Sequence, residues 1–254
     1  MVSFNQVTPI RVVSLKSDSF KRDNIEIELK KIKVDFKYQD AIRGRDVIDK
    51  EELKGKFIDY GRLVGDGELG CTLSHLSIYK EMIDKDIGWM IILEDDVIPG
   101  ESLYDLSITD FSVFDDRYLY ILGGQNGLKS EIMQKTSLFN KVKLGNVTFR
   151  KQVNSERYIY RTCCYLVSLR VAKSIYEQSK YNLFLADDWE HLMSKGCFSD
   201  IYITDVVKHP IELTDSSIEI ERTRRSESLN RWSLLVGLAR RFKGLLREAY
   251  RLKK

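Results

Sequence analysis

The amino-acid sequence predicts an α/β fold with a mainly parallel central sheet. Short continuous apolar runs recur along the chain, as expected of strands that are buried on both faces. Segments with apolar residues at helical spacing lie between these runs, and alternating strands and helices favour a parallel sheet covered by helices. The 254 residues, of which 43% are hydrophobic and only three are proline, are enough for one large domain of this class.

The predicted elements alternate in type along the chain. We expect strands at residues 10–15, 33–38, 89–93, 118–122, 158–167 and 201–207. We expect helices at residues 20–32, 71–83, 171–178 and 187–195. Residues 40–56 are polar and are expected to loop over the surface, whereas residues 125–157 are polar and give no assignment.

The charged residues are distributed unevenly between the body and the carboxyl-terminal tail. The net charge is +3 overall, but the residues from 222 onward hold eleven Lys or Arg and only two Glu. The remaining body is acidic, which argues against a nucleic-acid-binding protein because such a protein needs a basic face. Apolar residues recur at helical spacing within 226–254, so we expect a basic amphipathic helix that binds an anionic membrane surface. The alternative is a helix that docks on its own body or on a second subunit.

The compartment can also be predicted from the sequence. No apolar stretch approaches the roughly 18–20 residues of a transmembrane helix, and the amino terminus lacks the pattern of a signal peptide. We therefore expect a cytoplasmic protein that is peripheral on the inner membrane. The cysteines have no zinc-binding spacing and are expected to be reduced, with Cys163 and Cys164 on opposite faces of a strand.

Three adjacent carboxylates follow the most apolar predicted strand. Glu94, Asp95 and Asp96 come directly after residues 89–93, and ligands in α/β sheets bind at the carboxyl ends of strands. A divalent cation would relieve the mutual repulsion of three acids and would suit their hard oxygen ligands. The sequence therefore predicts a metal site here, with a solvated acidic turn as the alternative.

Residues 65–70 match the glycine pattern of a dinucleotide-binding loop, G-x-G-x-x-G. A helix follows, and Glu94 lies at the next strand end. We expect the match to be accidental, because the preceding residues form a poor buried strand and two acids inside the loop would face a pyrophosphate.

Two histidines and a second acidic pair are further candidates. His75 lies in a predicted helix and is more often a packed residue than a ligand. His209 follows the last strand, where it could bind a metal or simply pack. Asp187 and Asp188 begin a helix, where carboxylates are favoured by the helix dipole as caps, but one of them could also act as a general base.

Taken together, these segments resemble glycosyltransferase family 25, which includes bacterial lipooligosaccharide and capsule galactosyltransferases. The most specific blocks are G-E-L-G-C-T-L-S-H at 67–75 and I-L-E-D-D-V at 92–97, in this order. Supporting blocks are V-V-S-L-K at 12–16, K-R at 21–22, D-A-I-R-G at 40–44, T-C-C-Y-L-V-S at 162–168 and D-D-W at 187–189. The resemblance covers roughly residues 10–220, and the tail lies outside it.

The resemblance implies a GT-A type domain at 1–225 and an inverting transfer, usually of galactose from UDP-galactose, with manganese or another divalent ion. Asp96, Glu94 and His209 are then the candidate metal ligands, since residues 94–96 stand where related enzymes carry Asp-x-Asp. Asp188, or else Asp187, is the candidate base. The candidate donor contacts are Ser14, Leu15, Arg22, Ala41, Leu73, His75, Glu94 and Asp95.

The function predicted from the sequence is transfer of a hexose from a UDP-sugar to an oligosaccharide or lipid-linked glycan during bacterial surface glycan synthesis. Two alternatives remain. The first is a partner protein that binds a nucleotide sugar without transferring it. The second is an oxidoreductase that uses the glycine pattern to bind a dinucleotide.

Overall fold

A nine-stranded sheet organises residues 8–210, the part of the chain that the computed structural model describes. The strands are β1 (Ile10–Ser14), β2 (Lys37–Asp40), β3 (Trp89–Glu94), β4 (Ile98–Pro99), β5 (Tyr118–Gly123), β6 (Thr136–Leu144), β7 (Val147–Gln152), β8 (Cys164–Ser168) and β9 (Asp200–Lys208). The helices are α1 (Ser19–Lys31), α2 (Lys50–Gly55), α3 (Asp66–Asp84), α4 (Ser102–Ser107), α5 (Leu169–Ser179) and α6 (Trp189–Ser194). The amphipathic helix predicted at 226–254 lies outside the described residues.

The strand order is β2-β1-β3-β8-β5-β9-β7-β6, and β4 pairs with β9. β1 is parallel to β2 and β3, β8 is antiparallel to β3 and β5, and β9 is parallel to β5. Six strands therefore run one way and three (β4, β7 and β8) run the other way. The predicted α/β class with a mainly parallel sheet is confirmed. The carboxyl ends of β1, β2, β3, β5 and β9 meet at one edge, where β8 begins.

Helices cover both faces of the sheet. Successive residues of β3 alternate between two core clusters, with Ile92 on the face of α3, α5 and α6 and Ile91 on the face of α1 and α4, as the two-residue period of a strand requires. All four of its central residues are fully buried. This double burial explains why β3 reads as one continuous apolar run.

Several predicted boundaries are wrong for identifiable reasons. The strand expected at 33–38 begins only at Lys37, because Lys33 has a φ of 59° and turns the chain out of α1. The strand expected at 158–167 begins at Cys164, since Glu156–Tyr158 form a 3₁₀ turn and Arg161 has a φ of 69°. Cys163 therefore precedes the strand, and it packs in the same core cluster as Cys164 instead of facing away from it.

Polar segments proved to contain regular structure. Residues 125–157 include the hairpin β6–β7 at the sheet edge, where β6 has many exposed and half-buried residues and so lacks a buried-strand pattern. Residues 40–56, expected as a loop, contain α2 and a 3₁₀ turn at Gly44–Asp46. The helix expected at 71–83 already begins at Asp66, and that expected at 187–195 begins at Trp189.

None of the four cysteines, all of which lie within the described residues, forms a disulfide. Cys71 is half-buried, and the other three are buried. Within residues 8–210, no helix is both long enough and apolar enough to cross a bilayer.

Candidate active site

The candidate site lies at the sheet edge where the parallel strands end. Ser14, Asp40, Glu94 and Gly123 are the last residues of β1, β2, β3 and β5, and His209 directly follows β9. Most of the predicted site residues therefore reach one edge, as expected for ligand sites in α/β sheets.

Asp95 and Asp96 share one lysine, and Asp96 also faces one histidine. Lys21 Nζ lies 3.6 Å from Asp95 Oδ1 and 3.8 Å from Asp96 Oδ2. His209 Nε2 lies 3.6 Å from Asp96 Oδ1, too far for a hydrogen bond. Asp96 Oδ1 is buried and accepts no hydrogen bond. A buried carboxylate oxygen without a donor is costly, so the arrangement favours a positively charged ligand.

The pKa values support the same conclusion. Burial raises the pKa of Asp95 and Asp96 above the usual aspartate range, and the Glu94 charge raises both further. Burial opposes the charge on Lys21, but the carboxylates of Asp95 and Asp96 raise its pKa above the usual lysine value. The three acids are thus only partly neutralised by this lysine, and a divalent cation would neutralise them better.

Glu94 turns towards α3 and the start of β8. Its carboxylate accepts a hydrogen bond from Thr162 Oγ1, and its Oε1 lies 3.8 Å from His75 Nε2. Its backbone N–H donates to the Cys163 carbonyl at 2.9 Å. Glu94 therefore contacts residues 162–163 and approaches His75, whereas Asp96 approaches Lys21 and His209, although the two acids are only two residues apart.

The glycine pattern is the first part of α3 and packs against the protein itself. Gly65 is the N-cap, and its N–H donates to Glu68 Oε2 at 3.0 Å. A Cβ on Gly70 would lie 2.4 Å from the Ile42 carbonyl oxygen, so only glycine fits this approach. Ser74 Oγ accepts from the Ile42 N–H at 2.8 Å. The pattern positions residues 41–47 on α3 and does not follow a strand, so the dinucleotide interpretation fails.

The segment held by α3 forms one wall of an open cleft of about 480 Å³. Its lining residues are Leu15, Lys16, Ser17, Ala41, Ile42, Arg43, Asp46 and Val47.

Two of the predicted donor contacts, Leu15 and Ala41, line this cleft directly. The Ser14 carbonyl accepts from the Ala41 N–H at 2.8 Å and from Arg22 Nη2 at 2.8 Å. Arg22 also donates to Asp40 at 2.6 Å. Ser14 and Arg22 thus brace the cleft, whereas Leu73 packs against the core and is not part of the lining.

Asp187 and Asp188 accept structural hydrogen bonds. Asp187, only 9% exposed, accepts from the Arg161 N–H at 2.9 Å. Asp188 is the N-cap of α6, where its Oδ1 accepts from the His191 N–H at 3.2 Å. Asp188 Oδ2 accepts from the Tyr60 hydroxyl at 2.8 Å. Burial raises the pKa of Tyr60 far above its usual value, which keeps this phenol protonated as a donor.

Residues 161–163 connect the two acidic groups. The Arg161 N–H binds Asp187, the Thr162 hydroxyl binds Glu94, and the Cys163 carbonyl accepts from the Glu94 N–H. The positive φ of Arg161 allows these consecutive groups to point in different directions. Because β8 is antiparallel to its neighbours, its first residues arrive at the edge where the other strands end.

Sequence reasoning missed several residues of this site. Lys21 and Thr162 appeared only inside blocks quoted for the family resemblance. Tyr60 and Asn126 had no sequence signal. The Asn126 side-chain amide nevertheless holds the His209 backbone, donating to its carbonyl at 2.8 Å and accepting from its N–H at 2.9 Å.

The comparison with sequence families decides the class of protein. Residues 7–189 match the family described as "Glycosyltransferase family 25 (LPS biosynthesis protein)". The chain belongs to glycosyltransferase family 25. This confirms the family identified from the sequence blocks, and the predicted roles of individual residues remain predictions for this member.

Relatives of this family 25 member come from bacteria and animals. A Haemophilus influenzae protein with a provisional glycosyltransferase name is 27% identical over 257 residues, covering 91% of this chain and 82% of that protein. Lipooligosaccharide biosynthesis protein lic2B of Haemophilus influenzae is 30% identical over 94 residues, covering 36% of this chain and 34% of that protein. Human procollagen galactosyltransferase 2 is 30% identical over 97 residues, covering 35% of this chain and 15% of that protein.

A solved glycosyltransferase involved in glycosylation of the major capsid of PBCV-1 aligns with a TM-score of 0.41 and 9% identity. The alignment covers 86% of this chain and 99% of that chain.

Proposed function

We propose that this family 25 member transfers a hexose, galactose from UDP-galactose, to a lipid-linked or oligosaccharide acceptor with inversion at the anomeric carbon. The observation that carries the proposal is the under-neutralised acidic cluster at the sheet edge. Asp96 Oδ1 is buried without a donor, and Asp95 is hydrogen-bonded to Ser14, the residue that braces the cleft. A nucleoside diphosphate in that cleft would extend its phosphates towards the acids.

A divalent cation fits the residues present. Asp96 Oδ1 and His209 Nε2 are 3.6 Å apart, close to the roughly 3–3.7 Å separation of two ligands bound to one cation at about 2.0–2.2 Å. We propose Asp96 and His209 as ligands, with Glu94 as a third after a side-chain rotation, and manganese as the ion. When bound, the cation neutralises the diphosphate leaving group.

Asp188 is the proposed general base. In a single displacement, the acceptor hydroxyl oxygen bonds to the anomeric carbon while the bond from that carbon to the diphosphate oxygen breaks. The diphosphate leaves with the electron pair, and the hydroxyl proton passes to the Asp188 carboxylate. Asp188 is half-buried, whereas Asp187 is buried against the Arg161 backbone, so Asp188 is the better placed of the two. Each Asp188 oxygen keeps a lone pair beside its present hydrogen bond.

The acceptor assignment draws on the relatives and on the tail. One relative is named for lipooligosaccharide biosynthesis, and residues 226–254 combine apolar residues with cations. We propose that the tail binds an anionic inner-membrane surface, which would bring the enzyme to a lipid-linked acceptor. Truncation after residue 225 should abolish sedimentation with anionic vesicles but spare transfer to a short water-soluble acceptor. Unfolding of the truncated chain would show that the tail is structural.

A donor panel tests the activity directly. Purified protein is incubated with UDP-galactose, UDP-glucose, UDP-N-acetylglucosamine and GDP-mannose, with manganese or EDTA, and products are measured by mass spectrometry. We expect manganese-dependent release of UDP from UDP-galactose. The release should be faster when a short oligosaccharide that can accept the galactose is present. Tight UDP-galactose binding without turnover under any condition would favour the non-catalytic partner protein instead.

A further inference from the structure

A second group of potential metal ligands lies beside the candidate active site and shares Glu94 with it. Cys71 and His75 are one turn apart on α3 and share a face, and Glu94 ends the neighbouring strand β3. One ligand atom from each of Cys71, His75 and Glu94 lies within 4.8 Å of the other two. The His75 Nε2 to Glu94 Oε1 distance is 3.8 Å.

His75 has an unused ligand atom that points into this group. The side chain is only 2% exposed, and its Nε2 has no hydrogen-bond partner. Its Nδ1 lies 2.7 Å from the Tyr165 hydroxyl, which lies 2.7 Å from the Tyr79 hydroxyl. Burial raises the pKa of both phenols, so both stay protonated and orient the His75 ring through a chain of hydrogen bonds. Metal-binding histidines are commonly oriented in this way through their other nitrogen.

We propose that Cys71 Sγ, His75 Nε2 and Glu94 Oε1 form a binding site for a soft divalent cation of the zinc class. Ligands at about 2.0–2.3 Å from a four-coordinate zinc are roughly 3.3–3.9 Å apart. For nitrogen and oxygen ligands at about 2.0–2.2 Å the separation is roughly 3.3–3.6 Å. The 3.8 Å between His75 Nε2 and Glu94 Oε1 is therefore within about 0.5 Å of the required value, and Cys71 needs a shift on the order of 1 Å. Thiolate and imidazole are soft ligands that prefer zinc to manganese or magnesium.

Binding has a defined proton balance. The Cys71 thiol loses its proton to solvent as the sulfur–metal bond forms, so one proton is released per cation. With Nε2 bound to the cation, the ring hydrogen of His75 lies on Nδ1, which donates to the Tyr165 hydroxyl. Glu94 Oε1 can accept from Thr162 and bind the cation together, because a carboxylate oxygen has two lone pairs. The half-buried position of Cys71 leaves the remaining coordination position accessible.

This site differs in chemistry from the hard-cation site proposed at Asp96 and His209, and the two sites compete for Glu94. Occupation by zinc would hold Glu94 against α3 and so weaken manganese binding. Excess zinc is therefore expected to inhibit a manganese-dependent reaction, but the test of the site itself needs no activity.

Cobalt(II) is the probe, because its bond to a thiolate gives a charge-transfer band in the near ultraviolet. Titration of the full chain with cobalt should produce this band, and zinc should remove it. Cys71→Ser should eliminate the band, and His75→Gln should weaken zinc binding by more than the roughly 10–100-fold typical of outer-shell changes. Cys197→Ser is the matched control, since Cys197 is a buried free thiol on α3's side of the sheet and should leave the band intact.

A second measurement uses only the unmodified chain. Zinc should protect Cys71 from alkylation, mapped by peptide mass spectrometry, while manganese should not. Absence of the band, or its survival in Cys71→Ser, or equal alkylation with and without zinc, would overturn the proposal. Asp96→Asn should keep the cobalt band, so failure of the hard-cation site and failure of this site can be distinguished.

Discussion

The two acidic groups of the molecule use the same residue type in opposite ways. Asp96, at the end of β3, is buried, has a raised pKa and leaves Oδ1 without a donor. Asp187 and Asp188, at the start of α6, accept from two backbone N–H groups and the Tyr60 hydroxyl. The first group leaves a buried oxygen without a donor, whereas the oxygens of the second accept hydrogen bonds from the protein.

This difference shows how chemistry can be assigned to acids in a sheet-edge site. A cluster of carboxylates alone indicates neither a metal nor a base. The decisive information is which oxygen atoms lack a hydrogen-bond donor. Leaving a buried oxygen unsatisfied destabilises the protein by more free energy than a typical hydrogen bond contributes to its stability. On this basis the acids after β3 suit a cation, and the acids before α6 suit a fixed position in the protein, which is compatible with the role proposed for Asp188.

The largest expected effect distinguishes Asp188 from Asp187, the two acids at the start of α6. Asp188→Asn should lower turnover by about 10²–10⁴-fold, the range for loss of a general base, with donor affinity nearly unchanged. Asparagine caps helices as well as aspartate, so the fold should survive. Steady-state kinetics and calorimetry with UDP measure the two quantities.

Asp187→Asn is the paired variant. We expect it to lower the melting temperature more than the turnover, since Asp187 is buried against the Arg161 backbone. If Asp187→Asn loses turnover and Asp188→Asn keeps it, the roles are exchanged.

The next largest effect is expected at Asp96, among the acids at the end of β3. Asp96→Asn should weaken manganese-dependent UDP binding by at least about 100-fold, because the cation contributes several kcal/mol to charge stabilisation. Without metal, the same change should raise the melting temperature, since it removes a buried and poorly compensated charge. Calorimetry and thermal unfolding in EDTA give both values. Asp105→Asn, at an exposed position on α4, is the control, and unchanged binding in Asp96→Asn would refute the metal assignment.

A smaller effect is expected at the donor that holds Asp188. Tyr60→Phe removes two hydrogen bonds, the one donated to Asp188 and the one accepted from the Leu185 N–H, and should lower the free energy of unfolding by about 1–3 kcal/mol. Turnover should fall by about tenfold or less, because the base remains present but is less well held. Urea unfolding and kinetics measure these changes. Tyr181→Phe, at a position that is 80% exposed, should change neither, and an equal effect of the two variants would contradict the positioning role.

The smallest effect is a difference in pH dependence between satisfied and unsatisfied acids. Arg11 donates two hydrogen bonds to Glu81 and lowers its pKa to about 2. Because its unfolded pKa is about 4.3, Glu81 stabilises the fold above that pH and loses this contribution as the pH falls towards 2. The pH dependence that Asp96 contributes has the opposite sign. Its pKa is raised in the folded chain, so the free energy of unfolding falls as the pH rises above about 4 and Asp96 ionises.

Melting temperatures from pH 3 to 7 in EDTA test this difference. Relative to the unmodified chain, Asp96→Asn should gain stability as the pH rises, and Glu81→Gln should lose on the order of 1 kcal/mol over the same range. Parallel curves for the two variants would show that the two kinds of acid do not differ electrostatically.

The sequence was sufficient to predict those strands and helices that have a clear local pattern of apolar residues. β3 was predicted almost to the residue because it is buried on both faces, and its acids were placed at the site edge for the same reason. α1 and α5 were also found from their spacing. The hairpin β6–β7 was not found, because edge strands with exposed residues carry no strong apolar signal.

The contacts that join distant residues could not be predicted from one sequence. The Tyr60–Asp188 hydrogen bond joins residues 128 apart, and the Thr162–Glu94 bond joins residues 68 apart. Neither has a local pattern, since both depend on which strands become neighbours in the sheet. The structural use of the 65–70 glycines was also hidden, because a tight backbone approach and a phosphate loop both require glycine.

The order of the strands along the chain also has a consequence for biosynthesis. The candidate site draws on Ser14 near one end of the described residues and on His209 near the other, with β8 inserted between strands formed much earlier in the chain. Contacts of such long sequence separation form late in folding. A nascent chain that has not yet released residue 209 therefore lacks one of the proposed ligands. If the proposed site is correct, a prematurely terminated product consumes no sugar nucleotide.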